Sequence, residues 1–393
     1  PSIQIDTALL PPSEDKPDTD SAPMKRIQLP IGIDIHQVAI HDLSLIIDQQ
    51  KMTLGTFQTA ASLNNESGLT LAPTTTQDFV FIHEMSDASE DEPQPQATPN
   101  NPIDWAALEQ TLSQPLLADL GQQIELPFDM HIQGIHGTNW QYQAINTKGE
   151  SEFEVKVSSA DLLADATGDN VQLQTLSVTS SLGEVQAKGQ IQLQADFPLQ
   201  LNINADLNAL KQKETVLLPA TKANLTLSGT LKKQTALSWQ TQGALESQLN
   251  AQIQAAEPNL PLQVNLTVPQ AQYPFNDKDP LKIQDLHFTV DGNLAAAQIQ
   301  LKSALSGMGI PNSDLALQAV AHLYDIAINQ LKLNTLNGTA DLTGNLNWRD
   351  GVEWNGHLAL AKMALGAYLA DFPAIISGSL NSQGKITQDK QQI

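Results

Sequence analysis

The chain has 393 residues, 43 acidic against 20 basic side chains, a formal net charge of −23, and no cysteine. That balance excludes a nucleic-acid surface and tight adsorption to an anionic membrane, since both need clustered cations. The missing thiols exclude disulfides, thiolate nucleophiles and Cys-bound metals. Hydrophobic residues make up 41% but aromatics only 5%, so apolar surface must be built from Leu, Ile, Val and Ala rather than from stacking rings.

Taken in order, the chain opens at Pro1 without Met and reads as a piece of a longer protein whose targeting signal lies elsewhere. No run approaches the roughly 20 apolar residues that span a bilayer. The acidic, proline-rich stretches predict flexible loops at 11–25 and 84–101. A helix is expected near 102–118, with Asn101 as cap, Pro102 in the first turn, and Ile103, Leu108, Leu112 and Leu116 broadly along one face. Pro115 should end or kink it, and the helix should cover an end of sheet.

From there to the end the dominant signal is alternation with a period of two. Leu199, Leu201, Ile203 and Leu207 share one parity, with Gln200, Asn202, Asn204 and Asp206 between them. Leu225 and Leu227 follow, then Leu249 and Ile253, then Leu262, Val264 and Leu266, each set separated by Gln, Asn or Thr. Leu286, Phe288 and Val290, then Leu315 and Leu317, then Leu342 and Leu346, then Leu358 and Leu360 continue it. Neighbouring side chains of a strand point to opposite faces, so every one of these runs is greasy on one side and polar on the other. Breaks such as Asp291-Gly292-Asn293 and Asn337-Gly338 fit hairpins or short loops. The expectation is all-β: one continuous, elongated, antiparallel-rich sheet over residues 1–393, with one or two short helices, the second near 361–369.

Two internal repeats stand out. Leu29-Pro30-Ile31-Gly32-Ile33-Asp34-Ile35-His36 is similar to Leu126-Pro127-Phe128-Asp129-Met130-His131-Ile132, and Gly183 and Gly189 have the spacing of Gly338 and Gly344. His36 and His41, like His131 and His136, lie five apart, a spacing that puts two rings on opposite faces of a regular strand and argues against joint metal ligation. Trp348 and Trp354 flank Arg349-Asp350-Gly351, as in a hairpin with an aromatic on each strand. No G-x-S-x-G elbow, P-loop or H-E-x-x-H motif occurs, and the densest carboxylates sit in the loops, so no catalytic residue, metal or cofactor is expected.

Several runs together carry a resemblance: LPIGIDIHQVAIHDLSLIID (29–48), LSQPLLADL and ELPFDMHIQGIHGTNW (112–120, 125–140), PLQVNLTVPQAQYPF (261–275), SALSGMGIPNSDLALQA (303–319), LNGTADLTGNLNWRDGVEWNGHLAL (336–360) and FPAIISGSL (372–380). Their collinear set resembles the TamB family of Gram-negative bacteria, within the AsmA-like group. The resemblance implies a periplasmic U-shaped β-groove with an apolar interior, anchored in the inner membrane by an amino-terminal helix absent here. It also implies an outer-membrane barrel partner, TamA, met through a region absent here, and a role in phospholipid traffic and in assembly of autotransporters and other outer-membrane proteins. It brings no catalytic residues. Two main readings follow: a lipid conduit whose acyl chains lie on the apolar face, or a scaffold that pairs with client β-strands without moving lipid. A closed β-solenoid is a third, which the irregular repeats disfavour.

Overall fold

A computed structural model describes residues 2–5, 26–47, 49–85, 104–117, 121, 123–212, 215–275, 277–369, 372–386 and 391–392. The loops expected at 11–25 and 84–101 lie outside these residues, apart from Glu84 and Met85. The fold is all-β, a mostly antiparallel sheet with one α-helix among the described residues. It divides into two compact units: Pro1–Pro102 with Leu120–Asn208, and Ile103–Asp119 with Ala209–Ile393.

The first unit begins with β1 (Ser2–Ile5), parallel to β2 (Ile33–Ile47), which pairs antiparallel with β3 (Gln50–Asn64). β3 is flanked by the short β4 (Gly68–Leu71) and by β5 (Thr74–Glu84). Both β4 and β5 run parallel to β6 (Met130–Ile145). A meander follows, through β7 (Ser151–Thr167), β8 (Asn170–Ser180), β9 (Gly183–Gln192) and β10 (Pro198–Leu207). Parallel neighbours cannot be joined by a tight turn, so the chain needs a long crossover between β5 and β6. That crossover contains α1 (Trp105–Ser113).

Helix α1 starts three residues later than the sequence suggests. Its cap is Asp104, whose carboxylate accepts from the Ala107 N–H at 2.9 Å. It stops at Gln114, just before Pro115, which lacks the N–H to go on.

The second unit opens with a small hairpin, β11 (Leu210–Gln212) and β12 (Thr215–Leu218). The rest is an antiparallel meander in which each strand pairs with the next: β13 (Thr221–Thr230), β14 (Thr235–Gly243), β15 (Ser247–Ile253) and β16 (Leu262–Tyr273). It continues as β17 (Leu281–Gly292), β18 (Ala297–Gly307), β19 (Ile310–Ala321), β20 (Asp325–Thr335) and β21 (Gly338–Asn347). β22 (Val352–Ala364), β23 (Ile375–Ile386) and β24 (Gln391–Gln392) complete it. The helix expected at 361–369 is instead the end of β22 followed by a short 3-10 turn, Leu365–Ala367.

Little of the molecule is core in the usual sense. Among the described residues, the fully shielded apolar side chains are mostly alanines, with Val268 and Phe197, and Phe197 is the one large side chain left almost no solvent exposure (1%). The buried polar residues are all Ser or Thr, and no buried side-chain donor or acceptor lacks a partner. The apolar residues therefore form a face, not an enclosed interior.

Both sequence repeats are structural. The first pairs residues 97 apart, so that Ile35 matches Ile132 and Asp42 matches Asn139. β2 carries a register shift between Ile35 and Val38, and β6 carries one between Ile132 and Ile135. Asp42 and Asn139 both adopt left-handed backbone, at φ 52° and 56°, a conformation Asp and Asn tolerate better than most. In the second repeat, a Cβ on Gly189 would stand 2.5 Å from the Gln200 carbonyl oxygen, and one on Gly344 would stand 2.3 Å from that of Asn355. Only glycine permits these close approaches.

Candidate functional site: an apolar face in register

In-register residues of antiparallel neighbours project to the same side of a sheet. In the second unit this yields one unbroken apolar row across the meander. It begins Leu225, Trp239, Leu249, Leu266, Phe288. It goes on through Leu301, Leu317, Leu331, Leu342, Leu358 and Leu380. A second row runs beside it: Leu227, Leu237, Ala251, Val264, Val290, Ile299, Ala319 and Ile328. It ends in bare backbone at Gly344 and Gly356. Ile253 and Leu262 lie in a third row, which reaches Leu346 and Trp354 at its far end. On the other flank, Leu286 pairs with Val268, Leu315 with Leu333, and Leu360 with Ala340.

In the first unit the same logic aligns Leu173, Gly189 and Leu201, then Leu162, Leu176, Ala187 and Ile203. Leu199 faces Ile191, and Leu207 faces Gly183. Every residue singled out from alternation is half-buried. A side chain sunk in a packed core would be shielded and one on an open face exposed. These lie between, held by lateral neighbours in the sheet.

The sequence pattern missed several members. Ile299, Leu301, Leu331 and Leu380 complete the rows yet were not selected. The signal was available in Gln298-Ile299-Gln300-Leu301. Leu162 and Leu176 were hidden by register shifts in β7 and β8. Each shift inserts a residue and reverses the parity that alternation depends on.

The same device overturns one expectation. His131 and His136 stand on one face, not on opposite ones, because the shift between Ile132 and Ile135 resets the strand. They pair with successive carboxylates of β7: His131 Nδ1 lies 2.5 Å from Asp165, and His136 Nδ1 lies 2.6 Å from Asp161. Each ring is occupied by its own partner. Nor are these histidines copies of His36 and His41, since the 97-residue offset matches His131 to Asp34 and His136 to Ala39. Among the described residues no group of three or more His, Asp or Glu is placed to hold a metal ion. Trp348 and Trp354 are likewise not cross-strand partners. Trp354 pairs with Leu346, while Trp348 sits in the turn with its N–H on the Tyr324 carbonyl at 2.9 Å.

The polar face is a lattice of amides and paired charges. Gln234 donates to Gln252, and His357 Nδ1 lies 2.6 Å from Asn381. Charge in the first unit is structural too. Asp129 is held below the ordinary carboxylate range, first by the Gly168 backbone N–H, against partial burial, and then by Arg26 at 2.8 Å. Asp165 is also lowered: burial pushes it up, and Thr167 and His131 outweigh that. No helix among the described residues is long and apolar enough to cross a membrane.

Comparison with known proteins agrees with the fold. The family description "TamB, N-terminal domain" matches residues 1–393. The translocation and assembly module subunit TamB of Haemophilus influenzae (strain ATCC 51907 / DSM 11121 / KW20 / Rd) is 44% identical over 387 residues, covering 98% of this chain. The chain spans 30% of that relative's length. No solved structure matches it. An all-β chain with in-register apolar rows, matched along its whole length, belongs to the TamB family.

Proposed function

We propose that the apolar face carries phospholipid acyl chains through the periplasm between the inner and outer membranes, as part of a translocation and assembly module that supports outer-membrane protein and autotransporter biogenesis. In this reading each of the two units contributes an apolar face to the lipid path of a longer protein. The inner-membrane anchor and the contact with the outer-membrane barrel TamA belong to other parts of that protein.

The observation that carries the reading is the uninterrupted row from Leu225 to Leu380. A hydrocarbon tail exposed to water costs about 0.8 kcal/mol per methylene, on the order of 10 kcal/mol for a lipid chain. A row that never breaks lets a tail shift from strand to strand without that cost. Aliphatic side chains offer no directional bonds to arrest it. The first unit contributes in the same way through Leu201 and Ile203.

The test is photo-crosslinking. Probes at Leu266 and Leu317, and at Leu201 in the first unit, should capture phospholipid. Leu317→Asp should cut lipid captured beyond it by about tenfold while the chain still melts cooperatively. Undiminished lipid loading of Leu317→Asp would contradict the conduit.

One observation favours the strand-pairing scaffold as a second reading. Among the described residues β24 pairs with β23 only at Lys385 and Ile386, and Leu380 of β23 is 61% exposed. Strand edges can accept an added strand. Probes at Ser379 and Asn381 that capture unfolded outer-membrane polypeptide, with no lipid at Leu317, would favour the scaffold.

A further inference from the structure

Helix α1 is the one helical element packed along the strand ends of the second unit among the described residues, and its placement is particular. Trp105 meets the Tyr324 ring edge-on, with centroids 6.3 Å apart, in the turn between β19 and β20. Glu109, Leu112 and Ser113 line a hollow with Leu294 and Ala295 of the β17–β18 turn and with Asn259 of the β15–β16 turn. Just past the helix, the Leu117 N–H reaches the Ala255 carbonyl at 3.3 Å. The element therefore touches three successive hairpin tips on one rim. The spacing fits: four strand intervals span about 19 Å, and nine helical residues give about 13 Å, with the residues up to Leu117 covering the remainder.

The hold is slight. No α1 residue is buried, and Trp105, Leu108 and Leu112 are only half-buried. Asp104 caps the helix from within, so it keeps its own first turn satisfied without help from the rim. Arg349 lies 4.6 Å from the Tyr324 ring centroid and braces that ring from the β21–β22 turn. The docking platform thus belongs to the meander, and the helix is an added piece. Directly inside this rim the third apolar row is Gly292, Ala297 and Ala321, with little side-chain bulk between the helix and the second row at Val290 and Ile299.

We propose that α1 is a movable latch on this rim, and that lifting it opens a lateral entry by which acyl chains reach the apolar face between β15 and β20. This rests on the conduit reading above and specifies how that face is filled and closed.

The absence of cysteine makes introduced thiols unique. In the full chain, Leu294→Cys reports undocking through its rate of reaction with a maleimide dye, and Trp105→Ala should raise that rate at least threefold. Leu112→Cys with Leu294→Cys, joined by a short bis-maleimide, locks the latch. Uptake of a fluorescent-acyl phosphatidylcholine from zwitterionic vesicles should slow about tenfold in the locked form and quicken in Trp105→Ala. Equal uptake by locked and unlocked forms overturns the latch and leaves the conduit standing. An unchanged dye rate in Trp105→Ala overturns it as well. No uptake by any form, with phospholipid crosslinks also missing at Leu317, overturns the conduit and the latch together.

Discussion

The two units solve the same problem with different grammar. In the second, every strand of the meander from β14 to β24 pairs antiparallel with the strand before it in sequence, and the register shifts in β17, β20 and β22 leave the principal row unbroken. In the first, parallel pairs interrupt the order and register shifts in β2, β6, β7 and β8 move the apolar parity back and forth. Left-handed residues Asp42, Asp78 and Asn139 lie in β2, β5 and β6, as Asp285 and Lys362 do in β17 and β22 of the second unit. Bulges add bend and twist to a sheet; both units carry them, and the first alone combines them with parallel pairs. The lesson is that an unbroken apolar row depends on register, and that hydrophobicity alone does not produce one.

The largest expected effect separates the units by their packing. Phe197→Ala removes the one almost fully shielded large side chain and should destabilise the first unit by about 3–4 kcal/mol. Leu301→Ala in the second unit should cost only about 1–2 kcal/mol, because that leucine is half-buried. Denaturant titration read by hydrogen exchange in each unit separates the two. Comparable losses would mean that the second unit has a core of the same kind.

The next effect tests the shared glycine device. Gly189→Val and Gly344→Val each press a Cβ against a neighbouring strand's carbonyl and should cost about 1–3 kcal/mol, in the first and second unit respectively. A tolerated substitution at either would show that the strands can separate there. A smaller, pH-dependent effect belongs to the first unit alone. Asp129 is lowered on folding, so its contribution is complete above its unfolded value near 4 and is lost as pH falls through the folded value. Asp129→Asn should lower the melting temperature by more at pH 6 than at pH 3. An equal loss at both would assign the effect to packing instead of charge. The smallest effect is Gly378→Leu. A Cβ at this position would meet no atom within 4 Å, so stability should change by less than about 0.5 kcal/mol while the apolar face gains bulk.

Much of this was legible in the sequence where structure is local. Alternation located Leu249, Leu266, Phe288, Leu317, Leu342 and Leu358, all of which share one row. It could not say that they do, because row membership is fixed by hairpin lengths and register shifts. The parallel pairing of β5 with β6 left no trace in local composition, since either direction of pairing shows the same pattern of side chains. The helix was legible from Leu108 and Leu112, yet its start was misplaced because Asn101 and Asp104 are equally suitable caps by residue type, and in the structure it is the Asp104 carboxylate that accepts from Ala107. The facing of His131 and His136 failed for the opposite reason. A single extra residue near Gly134 inverts the parity rule, as the shifts in β2, β8 and β20 do at their own positions.

Because each strand of the meander places a single residue in the principal row, a hairpin such as β18–β19 behaves as an interchangeable tile. Excising it would bring Phe288 beside Leu331 and leave the greasy lane seamless, shorter by about 10 Å. Reach could then be tuned by gain or loss of whole tiles, with no redesign of what remains, whereas removing an odd number of strands would force a reversal of chain direction at the splice.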